Sequence, residues 1–95
     1  MPSYEVMYIL KPGLEEESYQ GLVDRFNGII QAQGGSVTAV DKWGMRKLAY
    51  EIEKHREGYY VVANFTGPSA CAQELDRVLK ITDEVIRHMI VRTDR

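Results

Sequence analysis

Gly58-Tyr59-Tyr60-Val61-Val62-Ala63-Asn64-Phe65-Thr66 is the clearest strand in the chain. It is dense in aromatic and β-branched residues and closes against the turn signals Gly67-Pro68-Ser69, a composition that favours extended backbone between breaks. Downstream, Ser69 is a candidate N-cap. After it, Cys71, Ala72, Leu75, Val78 and Leu79 share one arc of about 120° at helical pitch, a core-facing stripe. Thr82-Asp83 makes a turn, and Val85 to Thr93 forms a last strand. Upstream, the polar stretch Glu53 to Glu57 reads as a loop, preceded by a long strand from Val37 to Ile52 that Gly44 interrupts. A glycine inside a strand marks a bulge or the close approach of another chain.

Further upstream, Tyr19, Leu22, Val23, Phe26, Ile29 and Ile30 form a second helical stripe of about 120°. Glu15, Glu16 and Glu17 crowd the start of that helix, where the dipole favours negative charge, and Gly34-Gly35 closes it. Tyr4 to Lys11 is a first strand ended by Pro12-Gly13. The order is therefore β-α-β-β-α-β. Right-handed crossovers put both helices on one face of a four-stranded antiparallel sheet. The expected fold is α+β, the ferredoxin-like split βαβ arrangement, in one domain over residues 1–95. The first strand carries Tyr4, Val6, Tyr8 and Leu10 on one side, yet Met7 and Ile9 on the other. A sheet with one wet face alternates more cleanly, so the uncovered face is either simply shielded or a docking surface.

Composition narrows the function classes. Ninety-five residues, 44% apolar and 27% charged, bound the chain to one hydrophobic core and exclude disorder and collagen. The longest apolar run, Val6 to Leu10, is too short to cross a bilayer, so no membrane association is expected. No secretory signal is visible at Met1-Pro2-Ser3-Tyr4-Glu5, and the lone Cys71 fits a reducing cytoplasm. The formal net charge of −2 gives no global pull toward nucleic acid. The charge is nevertheless sorted. Pro12 to Asp41 holds five acids and one base, whereas Lys42 to Arg56 holds five bases and two acids.

Catalytic signatures are absent: there is no Gly-x-Gly-x-x-Gly, no P-loop and no Cys-x-x-Cys. His55 and His88 have no metal-ligand spacing, so no metal, cofactor or small-molecule substrate is expected. Cys71 sits on an apolar stripe and reads as a buried small hydrophobe. The informative segment is Trp43-Gly44-Met45-Arg46-Lys47-Leu48-Ala49-Tyr50-Glu51-Ile52. Adjacent bases between aromatics on a strand suit phosphate contact with base stacking, or the anchoring of a protein partner. Trp43 and Tyr50 are equally compatible with a core, with Arg46 and Lys47 guarding an edge strand. On a regular strand Arg46 and Lys47 face opposite ways.

Gly44-x-Arg46-Lys47-Leu48-Ala49-Tyr50-x-Ile52 closely resembles the signature of the bacterial small-subunit ribosomal protein six family. Tyr4-Glu5, Pro12, Gly34, Gly58-Tyr59 and Val85-Ile86-Arg87 with Met89 resemble that family in order and spacing, so the likeness spans essentially the whole chain. It implies the same ferredoxin-like fold. It also implies a non-enzymatic, structural role in the small ribosomal subunit, and binding of the central domain of small-subunit ribosomal RNA as a heterodimer with small-subunit protein eighteen. Arg46, Lys47 and Tyr50 match the signature, Arg87, Arg92 and Lys80 fall where the family is basic, and Tyr4 matches its first aromatic. Trp43 and Lys54 join them as candidates from the basic segment.

Three departures stand out. The family usually carries a base at position 2, where this chain has Pro2, and Glu51 and Glu53 replace residues that are usually neutral or basic. Carboxylates repel phosphate, which turns that end of the segment toward protein. Two alternatives use the same strand order. A stand-alone single-stranded RNA-binding domain would need a basic lead and further aromatics around Gly58-Tyr59, which are missing. A small-molecule-binding regulatory domain would bind a metabolite and ignore RNA.

Overall fold

The structure is a computed structural model that describes residues 1–94. Six elements follow in the expected order: β1 (Ser3–Leu10), α1 (Glu16–Ala32), β2 (Ser36–Ile52), β3 (His55–Thr66), α2 (Ser69–Ile81) and β4 (Val85–Arg92). The sheet order is β2-β3-β1-β4 with every neighbouring pair antiparallel. This is the ferredoxin-like α+β arrangement.

The core forms where the two helical stripes meet one face of the sheet. Tyr4, Val6, Tyr8 and Leu10 of β1 and Tyr59, Val61, Ala63 and Phe65 of β3 alternate inward. Against them pack Tyr19, Val23, Phe26 and Ile30 of α1 and Cys71, Leu75, Val78 and Leu79 of α2. Tyr19 stacks on Tyr59 at 4.0 Å between ring centroids, and Phe26 meets Tyr8 edge-on at 5.1 Å. Each such pair adds about 0.5–1.5 kcal/mol beyond area burial. Helix α1 ends in a Schellman arrangement: the Gly35 N–H donates to the Ile30 carbonyl (2.9 Å) and the Gly34 N–H to that of Gln31 (3.1 Å). The Cys71 thiol is fully buried and lies 3.2 Å from the Gln33 carbonyl, so it seals this helix end against α2. Burial pushes its pKa up, which keeps it a protonated, inert thiol.

Two local expectations are corrected. Ser69 is the first helical residue and not the N-cap. Pro68 occupies the cap with an extended backbone, and its carbonyl accepts the Cys71 N–H at 2.9 Å. The stretch Glu53 to Glu57 is not a loop either. Ile52 pairs with His55, so the β2–β3 connection is a two-residue turn at Glu53 and Lys54, with φ of 49° and 70°. Positive φ at both central residues is the type I′ pattern, whose twist matches a hairpin. Asn-Gly normally announces it, and Glu-Lys hides it.

That turn has a consequence for shape. The β1–β3 ladder stops at Leu10↔Tyr59, while β2 and β3 continue pairing beyond it. Residues 46–58 therefore form a two-stranded arm without a third strand beside it. The break at Gly44 is a bulge: the register slips between Lys42 and Gly44, where φ is 80°. A Cβ there would meet nothing, so the backbone conformation requires the glycine and close packing does not.

Candidate interaction surface

The ladder registers define the sheet face turned away from the helices. One row across the strands is Arg87–Ile9–Tyr60–Gly44, the next is Met89–Met7–Val62–Asp41, and a third is Val91–Glu5–Asn64–Ala39. Apolar side chains thus run across β4, β1 and β3 on the side that no helix covers. Met89 is 47% exposed and Val91 43%. Ile9, in contrast, is only 2% exposed on this same face. It packs tightly at Gly58, where a Cβ would lie 2.3 Å from Ile9 Cγ2 and 3.2 Å from the Leu10 carbonyl oxygen. The missing side chain lets Ile9 close down onto β3.

The Gly44 bulge aims Trp43 over this face. Its ring runs parallel to Tyr60, 6.1 Å between centroids and 8° between planes, and its indole N–H donates to Asp41 Oδ2 at 2.9 Å. Trp43 is 46% exposed and Tyr50 60%, which removes the option that they form core. Arg46 pairs with Gly58 and Lys47 with Glu57 in uninterrupted register, so the two bases do face opposite ways. Asp41, Lys42, Trp43, Arg46, Lys47 and Tyr60 border one shallow depression, so the Lys47 side chain reaches its rim although its backbone position alternates with that of Arg46. Among the described residues, neither Arg46 nor Lys47 has a carboxylate within ion-pair distance. Across the face, Arg87 Nη1 donates to the Tyr50 hydroxyl at 2.7 Å.

Trp43 and Arg46 therefore share one depression, and Tyr50 meets Arg87 separately across the open face. Lys47 and Lys54 belong to the arm. The other three candidates lie elsewhere. Tyr4 is 8% exposed and stacks on Phe65 at 5.2 Å, so its ring is a core element. Lys80 lies on α2, with Nζ 3.0 Å from Asp76 Oδ2. Arg92 pairs opposite Tyr4 on the helix side, and its Nε donates to Asp94 Oδ1 at 2.9 Å. Sequence spacing missed Tyr60, Met89 and Val91. The available signal was alternation in phase with Met7 and Ile9, which becomes visible once the register is known.

Outside this surface, titratable groups serve the scaffold. His88 Nε2 lies 2.8 Å from Asp76 Oδ1, clasping β4 to α2. The hydrogen bonds from Lys80 and then His88 hold the Asp76 carboxyl below its ordinary range. Among the described residues, no three His, Cys, Asp or Glu side chains converge as a metal site, and no helix is long and apolar enough to cross a membrane.

Fold and surface together define a small α+β module whose open sheet face is apolar and aromatic and carries guanidinium groups. The sequence profile described as Ribosomal protein S6 matches residues 3–92, and the chain belongs to that family. It is 54% identical over 92 residues to the small ribosomal subunit protein bS6 of Carboxydothermus hydrogenoformans, covering 97% of this chain and 96% of that one. It is 56% identical over 94 residues to the bS6 protein of Thermoanaerobacter pseudethanolicus, with 99% of each chain covered. The crystal structure of 30S ribosomal protein S6 from Thermotoga maritima superposes with a TM-score of 0.92 at 39% identity, covering 97% of this chain and 87% of that one.

Proposed function

We propose that the chain works in the small ribosomal subunit of the bacterial cytoplasm, binding the central domain of small-subunit ribosomal RNA jointly with small-subunit protein eighteen. No catalysis, cofactor or small-molecule substrate enters this role. The observation that carries the proposal is the uncovered sheet face. Met89 and Val91 on β4 and Trp43 and Tyr50 on β2 are exposed large apolar or aromatic side chains, and no helix covers this face of the sheet. Apolar surface rimmed by polar groups is the anatomy of a protein interface. The Trp43–Tyr60 pair beside a guanidinium suits an anchored aromatic or an unpaired base.

Charge says which contact comes first. The chain's 12 bases are outnumbered by 14 acids, so its net field does not favour a phosphate backbone and alone it binds RNA weakly. A basic partner docked on the apolar face supplies the missing charge. The test is a titration of a central-domain junction RNA with the chain alone and with the chain plus the partner protein, at two salt concentrations. Weak binding alone and much tighter binding together are expected. Equal affinity in both cases overturns the proposal.

A further inference from the structure

The arm, residues 46–58, is weakly attached to the rest of the sheet. It has no third strand, since β1 pairing ends at Leu10↔Tyr59. Its ladder is irregular between Lys47 and Ile52, and its turn holds two non-glycine residues at positive φ. A two-stranded ribbon of this kind is marginal in water. Among the described residues, a single side-chain hydrogen bond ties arm residues 46–57 to another element, from Arg87 Nη1 of β4 to the Tyr50 hydroxyl. The guanidinium carbon also lies 6.0 Å from the centroid of the Tyr50 ring, within cation–π range. The two residues are 37 positions apart, and the bond spans the open face over the Ile9 row.

We infer that Arg87 is a positioning residue and not a phosphate contact: its clasp on Tyr50 holds the arm in one pose across the open face. The arm carries Arg46, Lys47 and Lys54, so its pose sets where those charges meet a partner. The consequence for assembly rests on the ribosomal proposal above; the consequence for the arm does not. Clasping also accounts for a base on a strand otherwise apolar on this face, beside Met89 and Val91.

The experiment has two parts. The first is hydrogen exchange on the free full-length chain. In Arg87→Ala, amides of the arm ladder exchange roughly tenfold faster, the loss of one charge-assisted bond and its ring contact, while the β1–β3 ladder is unchanged. Tyr50→Phe, which keeps the ring, gives a smaller acceleration in the same amides. Should Arg87→Ala fail to fold, the exposed Tyr50→Phe change still decides. Arm exchange equal to the parent in the folded variants overturns the inference. The second measures assembly with RNA and partner at several salt concentrations. A positioning residue slows association and leaves the salt slope unchanged. A slope lower by about 1 in Arg87→Ala marks a phosphate contact and overturns the inference. If the parent itself does not assemble, the ribosomal proposal fails, and the exchange result still decides the clasp.

Discussion

Gly58→Ala is expected to destabilise the protein, and the loss should be recoverable at one neighbour. The new Cβ would sit 2.3 Å from Ile9 Cγ2, 3.2 Å from the Leu10 carbonyl oxygen and 3.5 Å from Ile86 Cδ1. Ordinary carbon contacts begin near ~3.5 Å, so Ile9 must move by about 1 Å or more. Cγ2 is fixed to the β-branched carbon and cannot swing away without changing χ1, which is stiff in such residues. Ile9 is also buried, which leaves it little room. Overpacking of this kind costs about 1–3 kcal/mol, so about 2 kcal/mol is expected, or roughly 10 °C in Tm for a domain of this size. Ile9→Ala alone should cost about 3 kcal/mol by leaving a void. In the double variant the methyl added at position 58 occupies space that Cγ2 vacated, so the second change should cost almost nothing. The assay is urea unfolding of the parent, both single variants and the double variant, with stabilities compared as a cycle. A coupling energy of about 2 kcal/mol in the favourable sense is expected. Strict additivity would refute the claim that Gly58 exists to admit Ile9.

Other expectations follow from the same geometry. Gly21 and Gly28 lie in α1 with open space where a Cβ would go, so Gly21→Ala and Gly28→Ala should each stabilise by about 0.5–1 kcal/mol in urea unfolding, additively. Cys71→Ala should lower stability by on the order of 1 kcal/mol without impairing assembly; rapid alkylation of the native thiol would contradict its burial. Asp94 is held down to about 2 by the Arg92 side chain and then by the Ser3 backbone N–H. Its depressed pKa means that its contribution is complete above the ordinary aspartate value of about 3.9 and is lost as pH falls through the folded value. The stability gap between the parent and Asp94→Asn should therefore be constant near neutrality and shrink between about pH 4 and 2. Arg46→Ala and Lys47→Ala should both weaken ternary assembly with folding intact by circular dichroism, Arg46 more so because its planar fork suits bidentate and stacked contacts; assembly like the parent at two salt concentrations would reduce this segment to a guarded edge strand.

Local periodicity alone determined most of the scaffold. The two helical stripes, the alternation of β1 and β3 and the order of elements state which side of each element seeks the core, and handed crossovers leave few ways to combine them. Cys71 was legible as core for the same reason, as was the opposed orientation of Arg46 and Lys47. The tertiary structure decided what depends on register and on chain segments far apart in sequence. Glu53-Lys54 adopts a hairpin turn without its usual residues, because pairing of the flanking strands holds the backbone there, and only that turn creates the arm. Tyr4 and Lys80 match an aromatic and a basic position of the family, and the structure sets them against Phe65 and Asp76, contacts that no spacing announces. Alternation shows that a strand has two faces; which residues of β1, β3 and β4 stand side by side on the open one follows from hydrogen-bond register. The Arg87–Tyr50 clasp depends on that register as well, since it joins two residues that sequence distance keeps apart and the sheet brings to 2.7 Å.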